Sequence, residues 1–182
     1  MYLSLVYYPG IELKGFHAFR NKYEPFSSLL PEHLTFVFPV PESIGEEDLT
    51  YHILEVLSSW KPFRVHFSNL EKTIDHWLFW TIGEGNELVS RLHDELYTGI
   101  LAPHLREDLP YSPHIGLGLF SMEDYNFNNP TAELTLDRDK YERARKEFED
   151  MDLDLWFTID QLTLLRINAE FTACRKIKTF QI

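Results

Sequence analysis

Apolar and polar positions alternate over residues 2–8 (YLSLVYY) and stop at Pro9-Gly10, which predicts a strand with one buried face. From Ile11 to Tyr23 the spacing becomes helical, with Phe16, Phe19 and Tyr23 on one side and Pro25 ending the run. Residues 32–38 (EHLTFVF) return to a strand pattern between Pro31 and Pro39. A helix is predicted from Glu46 to Trp60, its inner side formed by Leu49, Ile53, Val56, Leu57 and Trp60. Strands follow at 63–68 and 74–82, the second rich in β-favouring Trp77, Phe79 and Trp80. Leu88, Leu92 and Leu96 carry a helix over 87–97, and Pro113 opens a strand at 111–120. The acidic stretch 121–139 reads as an inserted loop and RDKYERARKEFED as an exposed helix, before two closing strands at 154–167 and 171–181. Strand pairs alternating with helices predict an α+β fold with mostly antiparallel sheets. With no Ser/Gly-rich linker and no tandem repeat, one domain spans 1–182.

Composition narrows the functional classes. The 182 residues are 44% hydrophobic and include 14 Phe, 9 Tyr and 4 Trp, enough to bury a core and to exclude a disordered chain. No apolar run approaches the roughly 20 residues of a membrane span, and MYLSLVYYPG lacks the features of a secretory signal. Cys174 is the only cysteine, so an internal disulfide and a cysteine zinc cage are both excluded, and a reducing, cytoplasmic setting is expected. Seventeen Lys+Arg against 29 Asp+Glu give a net charge of −12, which disfavours sequence-blind binding to long nucleic acid. A small phosphorylated substrate or one RNA end needs only a local basic spot. A monomer is expected.

One internal echo carries chemistry. Pro31-Glu32-His33-Leu34-Thr35-Phe36-Val37-Phe38 resembles Pro113-His114-Ile115-Gly116-Leu117-Gly118-Leu119: a proline, a histidine, then apolar residues at every second position. On strands, His33 and Thr35 share one face while Leu34, Phe36 and Phe38 share the other, and His114 and Gly116 face away from Ile115, Leu117 and Leu119. Two imidazoles opposite the core predict a cleft with a histidine on each wall, suited to acid/base chemistry near neutral pH. Taken singly the motif is weak, since 8 His and 21 Ser/Thr predict about one His-x-Ser/Thr by chance. His66-Phe67-Ser68 is such a match, read as a solvent-facing strand position.

With both motifs in view, the chain resembles the two-histidine phosphoesterase superfamily, which includes cyclic phosphodiesterases and the 2',5' RNA ligases. The resemblance rests on His33-Leu34-Thr35 and His114-Ile115-Gly116, 81 positions apart, on Arg20-Asn21-Lys22-Tyr23-Glu24-Pro25, on Pro110-Tyr111-Ser112-Pro113, and on the order of strands. It implies a bilobal α+β fold in which each of two pseudo-symmetric lobes supplies one motif to a central groove. It also implies hydrolysis of a cyclic phosphodiester, a 2',3'-cyclic nucleotide or RNA terminal cyclic phosphate, with no metal and no cofactor. His33 and His114 would act as general base and general acid, in an order left open, and Thr35 would hold a phosphoryl oxygen. Arg20 and Lys22 would balance phosphate charge, and Tyr111 would stack on the base; a solvated helix end and core packing are the plain alternatives.

Gly116 departs from the pattern, standing where Thr or Ser is expected. Losing one oriented donor costs about 10²- to 10³-fold in rate. Three readings stand: glycine lets the backbone N–H or a water approach the phosphate, the substrate is unusual, or the groove binds a phosphorylated nucleotide or RNA end without turnover. Arg166, in the apolar run LTLLRIN, is read as an internal ion-pair partner or a phosphate ligand. His93-Asp94 is read as a helix surface pair, and the Trp77, Phe79, Trp80 cluster as core.

Overall fold

The computed structural model describes residues 1–123 and 134–182; most of the predicted insertion at 121–139 lies outside the described residues. The chain runs β1 (Tyr2–Tyr7), α1 (Lys14–Tyr23), β2 (Leu34–Pro41), α2 (Glu46–Leu57), β3 (Phe63–Lys72), β4 (Trp77–Ile82), α3 (Asn86–Leu96), β5 (His114–Leu119), α4 (Arg138–Glu149), β6 (Leu155–Ile159), β7 (Gln161–Ile167) and β8 (Cys174–Gln181). Short 3-10 turns at Glu42–Ile44 and Gly99–His104 complete it. The strands form two antiparallel four-stranded sheets, β2-β1-β7-β8 and β5-β4-β3-β6, so the fold is α+β as the pattern predicts.

The helices follow from local chemistry. Phe16, Phe19 and Tyr23 give α1 its buried face, and the extended Glu24 before Pro25 ends it. Glu46, Glu47 and Asp48 fill the first turn of α2, where the helix dipole favours acids. The Asp137 carboxylate accepts from the Lys140 N–H at 3.0 Å and caps α4. One buried apolar cluster takes residues from both sheets and all four helices, including Leu3, Phe16, Leu34, Leu49, Trp80, Val89, Ile115 and Tyr141.

Two topological facts position the site. Strands β2 and β5, which carry the two motifs, occupy equivalent outer positions in their sheets and run close to each other. Each is also backed by a helix from the other half of the chain, α3 behind β2 and α1 behind β5, which locks the two edges together.

Three expectations are corrected. The apolar run at 154–167 is two strands: β6 pairs with β3, and after Asp160 the chain crosses to pair as β7 with β1. In β2 the alternation breaks, so Val37 is buried and Phe38 half-buried, because the β1–β2 register shifts between Leu5 and Val6. His93 is buried rather than on a helix surface. Of the two readings of Arg166, the ion pair holds, its Nη2 lying 2.8 Å from Glu42 and 2.5 Å from Glu46.

Candidate functional site

Each motif histidine is held the same way. His33, just ahead of β2, donates from Nδ1 to the Pro31 carbonyl at 2.8 Å, and His114, opening β5, donates from Nδ1 to the Ser112 carbonyl at 2.6 Å. A carbonyl only accepts, so the neutral tautomer has its proton on Nδ1 and a lone pair on Nε2. Among the described residues neither Nε2 has a hydrogen-bond partner. Both residues are half-buried.

The electrostatics keep both rings neutral. Burial brings the His33 pKa down to about 4; the Pro31 carbonyl pulls the other way, and the charges of Arg20 and His114 lower it further. Burial likewise brings His114 to about 4, opposed by the Ser112 carbonyl and by the carboxylate of Asp75. The strands that follow the two rings, β2 and β5, lie in contact with each other. Thr35 is half-buried on β2 two residues after His33, and its hydroxyl has no partner among the described residues.

Gly116 and Gly118 play different parts. A Cβ on Gly118 would sit 2.8 Å from Tyr23 Cβ and 2.9 Å from the Tyr23 carbonyl oxygen, so glycine there lets α1 pack against β5. A Cβ on Gly116 would meet no atom within 4 Å. Gly116 lies on the same side of β5 as His114, opposite the buried Ile115 and Leu117, and so leaves open space beside the ring. Its cross-strand neighbour is Phe79, whose ring stacks on His114 with centroids 3.5 Å apart and planes 11° from parallel. We expect Gly116→Thr to fold normally, because its side chain enters vacant space; a Tm more than a few degrees below wild type by thermal unfolding would show that the space is not free.

Three residues singled out in the sequence for direct contact are placed elsewhere. Arg20 is buried beneath the site, with Nη2 2.9 Å from Glu24, Nη1 3.7 Å from Glu32, and Nε donating to the Gly116 carbonyl at 3.2 Å. Its charge is met by two carboxylates, and its bonds tie α1 to the segments bearing both motifs. Lys22 is bound to Glu147 at 2.7 Å in the seam between α1 and α4. Tyr111 lays its ring flat on His93, centroids 3.6 Å apart, and donates its hydroxyl to the Thr35 carbonyl at 2.7 Å. It fastens the approach to the second motif onto the first. His93 in turn donates from Nδ1 to the Phe36 carbonyl at 2.8 Å.

Of the Trp77, Phe79, Trp80 cluster read as core, only Trp80 is buried there, so Phe79 is a correction, and Asp75 was missed. The alternation in WLFW was the available signal for Phe79: with Trp80 in the core, Trp77 and Phe79 turn to the opposite face. Asp75, in the turn before β4, carried no signal. Among the described residues no group of three or more His, Cys, Asp or Glu is placed to hold a metal ion, and no helix is long and apolar enough to cross a membrane.

Comparisons with known proteins place the chain in a family and give its fold known relatives. The pattern of the 2'-5' RNA ligase superfamily matches residues 9–170. A protein of Geobacillus thermodenitrificans, named as a provisional phosphoesterase, is 23% identical over 123 residues, 65% of this chain and 69% of its own. Among solved structures, TT0787 of Thermus thermophilus has a TM-score of 0.62 at 16% identity, over 100% of this chain and 97% of that one. LigT of E. coli complexed with 3'-AMP has a TM-score of 0.58 at 14% identity, over 100% and 97%. At these identities the two structures show a shared fold.

Proposed function

We propose, from the premise that the chain belongs to the 2'-5' RNA ligase superfamily, that it hydrolyses a cyclic phosphodiester, a 2',3'-cyclic nucleotide or an RNA terminal cyclic phosphate. The observation that carries the proposal is the matched pair of histidines, each fixed through Nδ1 and each leaving Nε2 without a partner. That LigT was solved with 3'-AMP supports a phosphorylated nucleotide as the ligand class.

The charges favour one division of labour. Arg20 disfavours a proton on His33, whereas Asp75 favours one on His114. His33 is therefore the general base that takes a proton from the attacking water, and His114 the general acid that protonates the departing ribose oxygen. Water adds to phosphorus, the ring P–O bond breaks, and the product is a phosphomonoester. Thr35 donates to a non-bridging oxygen. The bound phosphodiester anion raises the pKa of His114, so the acid is charged in the complex although neutral in the free protein.

The test is hydrolysis of a 2',3'-cyclic nucleotide across pH. The productive free protein has His33 neutral and His114 protonated, and both pKa values lie near 4. Its population therefore peaks on the acid side of the ordinary imidazole range and falls about tenfold per pH unit above it. We expect kcat/KM to be highest below pH 6, with kcat holding to higher pH. Asp75→Asn should move the alkaline limb downward. A kcat/KM that is maximal above pH 7, or absence of turnover, would contradict this reading. The missing hydroxyl at Gly116 favours one alternative, a groove that holds the nucleotide without turnover; tight binding by calorimetry with no product on long incubation would establish it.

A further inference from the structure

The face of the β5-β4-β3-β6 sheet that bears His114 carries a second cluster that the proposed reaction does not use. Val65, Phe67, Trp80 and Ile115 point into the core. Alternation therefore puts Arg64 and His66 of β3 on the opposite face, with Phe79, Thr81, His114 and Gly116, and Trp156 of β6 pairs directly with His66. Trp156 is 40% exposed. Its ring stacks on that of His66, centroids 4.6 Å apart and planes 8° from parallel, and the Arg64 guanidinium stands 4.6 Å from the indole centroid. His66 Nε2 is bonded to the carboxylate of Asp154. Arg64 is exposed and has no ion-pair partner among the described residues. Between this cluster and His114 lie the exposed Ser68 and Asn69, with Thr81 buried beside them.

We propose that Trp156 and Arg64 form a subsite for single-stranded RNA whose phosphate-bearing end lies between His33 and His114. This rests on the phosphoesterase reading and narrows it, making an oligonucleotide rather than a mononucleotide the preferred substrate. Strand β6 is three strands from β5, and strands are spaced by about 4.8 Å, so the indole lies about 14 Å across the sheet from the line of His114. That distance suits the second or third nucleotide of an extended strand. An exposed indole stacks on any base, and an uncommitted guanidinium meets phosphate, so the pair supplies both parts of a sequence-tolerant site. Asp154 is bonded to His66 and not to Arg64, which leaves the guanidinium available. As a base moves onto the indole, Arg64 swings from the ring to the neighbouring phosphate. The charge of −12 is no obstacle, because only a few nucleotides are held and the cation is local.

The test compares 3'-phosphorylated RNA of one and four nucleotides, by calorimetry at low salt, on the wild-type chain and on Trp156→Ala and Arg64→Gln. We expect the tetranucleotide to bind the wild type about tenfold tighter or more, and Trp156→Ala to remove that advantage. The same variant should leave mononucleotide affinity and hydrolysis of a cyclic mononucleotide unchanged. Arg64→Gln should lower the slope of log affinity against log salt by about 0.7. Equal affinity for the two lengths, or a length advantage that survives Trp156→Ala, overturns the subsite while leaving the phosphoesterase reading intact. Self-association abolished by Trp156→Ala, with no dependence on RNA length, overturns it in favour of a protein contact at this outer strand. Length-dependent binding through Trp156 with no hydrolysis of any cyclic phosphate upholds the subsite and overturns the phosphoesterase reading alone.

Discussion

His33→Ala and His114→Ala are each expected to lower kcat/KM on a 2',3'-cyclic nucleotide by about 10²- to 10⁴-fold, the range set by loss of one positioned acid or base. On the proposed reading the two rings serve one phosphorus, so the double variant should be little worse than either single one. The folded state should survive. His33 precedes β2 and among the described residues its ring bonds only to the carbonyl two residues behind it, and His114 makes the equivalent bond at the start of β5. His114→Ala also uncovers one face of Phe79, whose ring then fills part of the vacated space. Kinetics together with thermal unfolding separate the effects: a large rate loss with a nearly constant Tm is predicted, and wild-type rates in either variant would dismiss the histidine pair.

The second large effect concerns stability. Arg20→Ala leaves Glu24 and Glu32 buried without their cation, at 6% and 5% exposure. Breaking such a group from one side costs about 3–5 kcal/mol, more than most single substitutions. Each kcal/mol lowers Tm by about 2–4 °C in a chain of this size, so a fall of about 10 °C is expected. The carboxylates have limited relief, because Glu32 also accepts from the Ile11 N–H and Glu24 from the Phe26 N–H, both at 3.0 Å. Arg20→Met combined with Glu24→Gln should recover part of the loss by removing one uncompensated charge. Activity should fall in Arg20→Ala even at low temperature, because the bond to the Gly116 carbonyl is lost. A Tm within about 2 °C of wild type would show that the ion group is solvated in practice.

Patterns that repeat over short range were legible in the sequence. The two motif strands were found because proline, histidine and every second apolar residue recur together, and their burial follows that order: Leu34, Phe36, Ile115 and Leu117 are all fully buried. What depends on distant partners was not legible. Arg20 looks like a solvent-facing cation at a helix end until Glu32 and Gly116, 12 and 96 positions away, arrive beside it. Tyr111 looks like a stacking residue until its hydroxyl meets Thr35, 76 positions earlier. The run at 154–167 has no Gly or Pro to mark its break at Asp160, and only pairing with β3 on one side and β1 on the other divides it. Trp156 belongs to the same class: its exposure follows from its place on an outer strand opposite His66.

Whether His33 and His114 address one phosphate together is tested directly by titrating the 15N-labelled protein with inorganic phosphate. The Nε2 resonances of both rings should move with a single shared dissociation constant, while both Nδ1 resonances, bonded to Pro31 and Ser112, stay nearly fixed. Movement of only one ring, or two different dissociation constants, would contradict the account.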